Sequence, residues 1–256
     1  MDSDSAITYL GHATLLIEMD GKRILTDPVL RMRVGHLQRK VPLLPIEKDI
    51  DAVLISHLHW DHLDRPSLQR LGDDTRLIVP KGSAGLMHQW GFDSVEELEP
   101  GEITSIGGIH IEAAPADHSG KRFPFGPTAV PLGYVMQGSC KIYFAGDTEE
   151  FPEMEKYAAD LDVALLPVWG WGPNLGDGHM DPRDAVEALG FLRPRLAIPI
   201  HWGTFFPIGL GWLKPTILHM PPIKFERNAA ELAPDVEVRI LEPGETYNLR
   251  DLTRDE

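Results

Sequence analysis

The 256-residue chain has almost no cysteine, no long apolar run and a shortage of positive charge. Cys140 is the single cysteine, which excludes an intrachain disulfide and the class of small secreted domains held together by disulfides. No apolar stretch reaches the roughly 20 residues that a membrane-spanning helix requires, and the first residues are acidic where a signal peptide is basic. These absences predict a cytoplasmic protein without stable membrane insertion.

The charge balance is acidic, with 24 Lys and Arg against 39 Asp and Glu and a formal net charge of −15. A field of that sign repels polyanions, so we expect no binding to nucleic acid. The remaining basic spots are interpreted as solvated loop charges, and they comprise Arg31, Arg33, Arg39, Lys40, Lys121 and Arg122.

The composition, 43% hydrophobic and 25% charged residues, is typical of a globular protein. We expect one domain over residues 1–256, because no linker or repeat divides the chain. Apolar alternation and short apolar runs predict an N-terminal meander and further strands, interleaved with helices at 65–71, 82–90 and 182–192. This mixture favours an α/β arrangement in which sheets lie between helices. Residues 27–49 are interpreted as a long irregular loop forming one wall of a site.

The string Ser56-His57-Leu58-His59-Trp60-Asp61-His62 follows a short apolar run, Asp51 to Ile55, that is typical of a buried strand. In an extended chain, His57 and His59 point to the same side and can both face one metal ion. The turn that follows can bring Asp61 and His62 to a second ion. Three imidazoles and a carboxylate are difficult to bury without partners. The string therefore predicts metal ligands rather than a His-rich surface turn.

Three further residues of ligand type each come just after an apolar strand. They are His118, Asp147 and His201. Loops at strand ends commonly place functional groups on a rigid base. Any one of these residues alone would more often be an ordinary loop or core residue, but their coincidence favours ligands.

These residues resemble the HxHxDH pattern of the metallo-β-lactamase superfamily, which is followed by a later His, an Asp and a final His. Five further stretches are similar to the branch that includes N-acyl-phosphatidylethanolamine phospholipase D and L-ascorbate 6-phosphate lactonase, namely GHATLLIE (11–18), LTDP (25–28), AGDT (145–148), HMDPRDAVEAL (179–189) and IHWGTF (200–205). The resemblance implies a four-layer αββα sandwich with two mixed sheets.

The resemblance also implies a ligand set: one metal ion held by His57, His59 and His118, a second held by Asp61, His62 and His201, and Asp147 between them. A donor set of His and carboxylate without Cys suits Zn²⁺, with Mn²⁺ or Fe as alternatives. Two ions can activate a bridging hydroxide, which predicts hydrolysis of a phosphodiester in a small-molecule or lipid-like substrate. A lactone or ester hydrolase remains an alternative, as do a di-iron redox protein and a catalytically silent scaffold, and a homo-oligomer remains open.

Other residues carry hypotheses with open alternatives. Asp27 is either a carboxylate partner for a ligating His or an Asp-Pro turn residue, and His12 is either a partner of the centre or a plain turn residue. His179 is a candidate catalytic group with Asp61, as a leaving-group acid or phosphate donor, and otherwise packs at a helix N-terminus. A set of apolar residues forms either a substrate rim or core: Trp169, Trp171, Phe205, Phe206, Leu210 and Trp212.

Overall fold

The computed structural model describes residues 5–46, 49–122, 126–170, 176–210, 215–250 and 252. Most of the regular structure in these ranges is extended. In chain order the strands are β1 (Ala6–Gly11), β2 (Thr14–Met19), β3 (Lys22–Thr26), β4 (Arg33–Val34), β5 (Leu37–Arg39), β6 (Ala52–Leu54), β7 (Leu77–Pro80), β8 (Val95–Leu98), β9 (Ile103–Ile106), β10 (Ile109–Pro115), β11 (Leu132–Gln137), β12 (Lys141–Phe144), β13 (Val163–Pro167), β14 (Leu196–Ile200), β15 (Phe205–Pro207), β16 (Glu237–Val238) and β17 (Thr246–Asn248).

The helices are short. They are α1 (Arg65–Leu71), α2 (Ala84–Gln89), α3 (Asp184–Leu192) and α4 (Met220–Leu232), with 3-10 turns at Pro152–Tyr157 and Pro215–Leu218. The Asp64 carboxylate accepts the N–H of Ser67 and so caps α1. Before α3, the Asp181 carboxylate accepts the N–H groups of Arg183 and Asp184, and the helix begins at Asp184, two residues after the predicted start. Local sequence thus fixes where both helices begin.

Two seven-stranded sheets form the frame of the molecule. The first has the order β17-β1-β2-β3-β6-β7-β8, in which the N-terminal meander is antiparallel and β3, β6, β7 and β8 run parallel. The second has the order β16-β14-β13-β12-β11-β10-β9, in which β12, β13 and β14 run parallel. Parallel strands end at the same edge of a sheet, so the loops after β12 and β14 lie at one edge, separated by β13.

The strands alternate between two apolar faces, as the period of two requires. Ile7 and Ile17 of the first sheet share a core with Ile111 and Tyr134 of the second, whereas Leu16 and its neighbours pack on the opposite face. That opposite face carries α1 and α2, and the outer face of the second sheet carries α3 and α4. The helix-sheet-sheet-helix layering expected from the sequence is confirmed.

The structure corrects three expectations about elements. Residues 27–49 are not wholly irregular, because β4 pairs with β5 and β5 pairs with β15 in a small three-stranded sheet. Helix α4 was missed, since its first turn contains Pro221 and Pro222 and charged residues interrupt the apolar ones in the turns that follow. Strand β8 was also missed, because its sequence VEEL carries two glutamates at the border of the first sheet. Each error arises where pairing or packing outweighs the local pattern.

Candidate metal centre

Both sheets contribute to one cluster of polar side chains. The first sheet supplies His57, His59, Asp61 and His62, which follow β6. The second supplies His118, Asp147 and His201 from the loops directly after β10, β12 and β14. All seven residues predicted from the sequence therefore meet, in overlapping sets whose donor atoms lie within 4.8 Å of one another.

One set, here called the half-open group, comprises His57, His59 and His118. His59 Nδ1 lies 3.0 Å from His57 Nε2 and 3.0 Å from His118 Nε2. His57 is buried, whereas His59 and His118 are partly exposed. Three imidazole nitrogens therefore converge, and two of the three rings are partly exposed to solvent.

A second set contains His12, Asp61, His62 and His201, and its three predicted ligands, Asp61, His62 and His201, are here called the buried group. His62 Nε2 lies 3.0 Å from His201 Nε2, and Asp61 Oδ2 lies 3.9 Å from each of these two nitrogens. All three residues are buried. The protein alone determines the geometry here, since solvent hardly reaches it.

Asp147 lies between the two groups. Its Oδ2 is 3.8 Å from His57 Nε2 and 3.1 Å from His62 Nε2, and its Oδ1 is 3.3 Å from His201 Nε2. Burial by itself would raise the pKa of this carboxyl group, but the imidazoles of His201 and His62 outweigh burial and hold the pKa well below its usual value. Asp147 Oδ1 is buried without a hydrogen-bond partner among the described residues. An ionised, unsatisfied oxygen at this point is a suitable ligand for a cation.

The donor chemistry fits divalent metal ions. Burial lowers the pKa of His59 to about 4 and of His201 to about 3, and it lowers the pKa of His57 and His118 below the usual value as well. These imidazoles are thus neutral near pH 7, with a lone pair on a ring nitrogen. Ring nitrogens 3.0 Å apart in the half-open group can each offer a lone pair to a cation placed between them, and imidazole with carboxylate is the donor set of zinc and related metals.

Hydrogen bonds to the far nitrogen of several rings fix their orientation. His62 Nδ1 lies 2.7 Å from Asp27 Oδ2, and Asp27 also accepts from the backbone N–H and hydroxyl of Ser56. The buried Asp27 therefore contacts a predicted ligand, as one of its two interpretations expected. Burial alone would lower the pKa of His62. The carboxylates of Asp147 and Asp27 outweigh burial and raise that pKa well above its usual value. His201 Nδ1 lies 2.6 Å from the carbonyl oxygen of Trp169.

The loop before α3 holds His118 and carries His179. His118 Nδ1 lies 2.7 Å from the Gly178 carbonyl oxygen, and the Gly178 N–H donates to the Glu149 carboxylate. Gly178 has φ +80°, and a Cβ there would lie 2.7 Å from His118 Nδ1, so glycine is required. His179 Nε2 is 3.5 Å from Asp147 Oδ2, and the side chain is partly exposed. The structure thus brings His179 to the open side of the cluster.

The apolar residues predicted to form either a substrate rim or core do not form a rim in the part of the chain that the structure describes. Trp169, Phe205 and Phe206 are buried, so the core interpretation describes these three. Leu210 is partly buried against the core, and Trp171 and Trp212 lie outside the described residues. Trp60, within the ligand string, is half exposed and was not singled out from the sequence.

Two arginines were wrongly interpreted as solvated. Arg122 is buried, donates from Nη1 to the carbonyl oxygens of Leu58 (2.6 Å) and Leu63 (3.1 Å), and stacks on the Trp60 ring at 4.4 Å. Arg39 is also buried, and it donates to backbone carbonyl oxygens that include that of Leu10. Carbonyl groups distant in sequence accept these bonds, and such partners leave no local sequence signal.

Comparisons with known proteins identify the family of this chain. The model of the β-lactamase superfamily domain matches residues 22–202. The chain is 36% identical to a UPF0173 metal-dependent hydrolase of Methanopyrus kandleri, over 94% of this chain and 98% of that protein. It is 32% identical to N-acyl-phosphatidylethanolamine-hydrolyzing phospholipase D 1 of Caenorhabditis elegans, over 79% of this chain but only 64% of that longer relative.

A solved structure extends the likeness to three dimensions. Igni18, described as a novel metallo hydrolase from Ignicoccus hospitalis, aligns with a TM-score of 0.73 and 27% identity, over 96% of this chain and 98% of that one. Among the described residues, no helix combines the length and apolar character needed to cross a membrane.

Proposed function

This chain belongs to the metallo-β-lactamase superfamily of metal-dependent hydrolases, and we propose that it cleaves a phosphodiester with two divalent ions. The observation that carries the proposal is the presence of two converging donor groups with one ionised carboxylate, Asp147, between them. Seven donor side chains exceed what a single ion can use.

The residues have distinct parts in holding the ions. The half-open group would hold one ion, the buried group would hold the other, and Asp147 would be shared. Its negative charge offsets the repulsion between two dications. We expect zinc first, with manganese or iron as alternatives, because the donors are imidazole and carboxylate. Two bound ions would lower the pKa of a water molecule held between them and balance charge on the attacking and leaving oxygens.

The chain itself supplies the proton donor. We assign this role to His179, whose Nε2 lies 3.5 Å from Asp147 Oδ2 on the partly exposed side of the cluster. From there the ring can deliver a proton from Nε2 to the oxygen that leaves phosphorus. Asp61 is the second catalytic residue of the proposal, as the carboxylate of the buried group.

Phosphorus is favoured over carbon by the sequence motifs and by the C. elegans relative, whose name states the hydrolysis of a phospholipid. His179-Met180-Asp181-Pro182 and the segment from His201 to Phe205 carry the resemblance to that branch. A small-molecule or lipid-like phosphodiester is therefore the proposed substrate class.

The test combines metal analysis with two substrates. Purified protein, reconstituted with zinc, manganese or iron, should contain close to two ions per chain. It should hydrolyse bis(p-nitrophenyl) phosphate faster than a simple lactone. Chelator treatment should abolish turnover and the added metal should restore it. One ion or fewer after every reconstitution would contradict the dinuclear centre, and turnover of the lactone alone would replace the phosphodiester with the alternative substrate.

A further inference from the structure

His12 lies in the two-residue turn between β1 and β2, outside the seven predicted ligands, yet its ring is buried in the metal centre. Its Nε2 is 3.0 Å from Asp61 Oδ2. The ring centroid is 3.8 Å from that of His201 and 5.2 Å from that of His62. A turn residue of the first sheet therefore contacts the whole buried group.

The backbone of His12 is fixed as firmly as its ring. The His12 N–H donates to the Thr204 hydroxyl at 2.7 Å, and the His12 carbonyl accepts the N–H of His201 at 2.8 Å. The residue also has φ +61°, a left-handed conformation that is unfavourable for most side chains. These bonds join the turn of the first sheet to the loop after β14 in the second, which carries a predicted ligand.

His12 contacts Asp61 at Oδ2, the carboxylate oxygen that faces the other two donors of the buried group. Oδ2 accepts from His12, and Oδ2 is also the oxygen that lies 3.9 Å from the Nε2 atoms of His62 and His201. In the part of the chain that the structure describes, the His12 ring is the one hydrogen-bonding partner of this carboxylate. This bond therefore helps to orient Oδ2 toward the other two donors.

We propose that His12 is a positioning residue that donates from Nε2 to Asp61 and thereby sets the affinity of the buried group for its ion. This inference rests on the proposed dinuclear centre. A distance of 3.0 Å is that of an ordinary N–H···O hydrogen bond. Partners of this kind typically change metal affinity by about 10- to 100-fold when removed.

A matched pair of variants separates the donor from everything else His12 does. His12→Gln and His12→Met introduce unbranched side chains of similar size with the same strain at φ +61°, but only Gln retains an N–H donor. Both variants should lower the Tm of the metal-free protein by roughly 2 to 8 °C, because glutamine and methionine tolerate a left-handed conformation less well than histidine does. Zinc affinity, measured by competition with a chromogenic chelator, should fall about 10- to 100-fold in His12→Met and remain within about threefold of wild type in His12→Gln.

Each outcome of the zinc titration decides whether His12 acts as a donor to Asp61. A wild-type zinc affinity in folded His12→Met would overturn the proposal. Equal loss in both variants would overturn the donor role and point to direct ligation by the imidazole. If neither variant folds, His12→Asn decides, because Asn tolerates positive φ but its amide is too short to reach Asp61. Reduced zinc affinity in His12→Asn supports the proposal, and unchanged affinity contradicts it.

Failure of wild-type protein to bind two ions would instead refute the dinuclear function. Failure to cleave phosphodiesters would refute the proposed substrate but would not affect the zinc experiment.

Discussion

The two donor groups of the centre contain similar side chains but are held differently. In the buried group, His62 and His201 are each fixed through the far ring nitrogen, and Asp61 is held by His12. In the half-open group the far nitrogens of His57 and His118 also have partners, but His59 and His118 remain partly exposed, and His179 lies beside His118 with ring centroids 4.7 Å apart. In the proposed dinuclear centre, burial would give one ion a preformed site, whereas exposure would give the other ion access to substrate. The following predictions test whether this division of roles is correct.

The largest effect is expected where the two groups meet. Asp147→Ala removes the carboxylate shared by both groups, so both ions should bind more weakly and turnover should be lost. At an ion concentration about a thousand times Kd, ligand binding stabilises a protein by about 4 kcal/mol, which is roughly 8 to 16 °C in Tm for a chain of this size. In thermal melts, the increase in Tm that zinc causes in the wild-type protein should be absent from the variant. Asp177→Ala, an exposed carboxylate outside the donor sets, should keep it, and equal shifts would remove Asp147 from the centre.

A second prediction compares the groups without metal. His62→Ala leaves Asp27 fully buried without its imidazole partner, which should reduce the free energy of unfolding by about 3 to 5 kcal/mol. His59→Ala removes a partly exposed ring and should cost about 1 kcal/mol or less. Urea titrations in the presence of a chelator measure both values. Similar losses would mean that burial does not distinguish the two groups.

The third prediction concerns the open side of the centre. If His179 protonates the leaving oxygen, His179→Ala should lower kcat by roughly 10²- to 10⁴-fold on substrates with poor leaving groups. The same variant should hydrolyse p-nitrophenyl phosphodiesters almost as fast as wild type, because the p-nitrophenolate leaving group needs no proton. Metal content and Tm should remain near wild type, since the ring is partly exposed. Equal impairment on both kinds of substrate would exclude the acid and leave phosphate positioning.

The structure brings the seven predicted ligand residues together, and their sequence signals are local. The spacing from His57 to His62 is compact, and His118, Asp147 and His201 each follow an apolar strand. Parallel pairing of β12, β13 and β14 then brings the strand ends together without further information.

The supporting contacts could not be predicted in the same way. His12 meets Asp61 across 49 residues, and Arg122 meets Leu58 across 64. Such pairs depend on how two sheets are stacked, which no periodicity in either segment records. The small sheet of β4, β5 and β15 is similar, because its strands have two or three residues and join segments far apart in the chain.

Arg122 supports the ligand string from outside, and its removal should give the smallest of these effects. Its two carbonyl acceptors, on Leu58 and Leu63, bracket the turn that contains His59 and Asp61. Arg122→Met keeps an apolar stem beneath Trp60 but leaves those carbonyls without their donor, and an unsatisfied buried acceptor costs about 1 to 3 kcal/mol.

The matched control for Arg122 is Arg65, which is exposed and lies 5.9 Å from the ring of Trp90, a tryptophan that Arg122 also contacts. Arg65→Met should change the free energy of unfolding by about 0.5 kcal/mol or less, because a surface cation over an aromatic ring contributes little. Arg122→Lys should fall between the two, since a single ammonium keeps the charge but cannot reproduce the planar guanidinium that donates and stacks at once. Urea titration of the three variants measures the order. If Arg122→Met were no worse than Arg65→Met, the turn would hold its shape through its own backbone bonds, and the half-open group would need no external support.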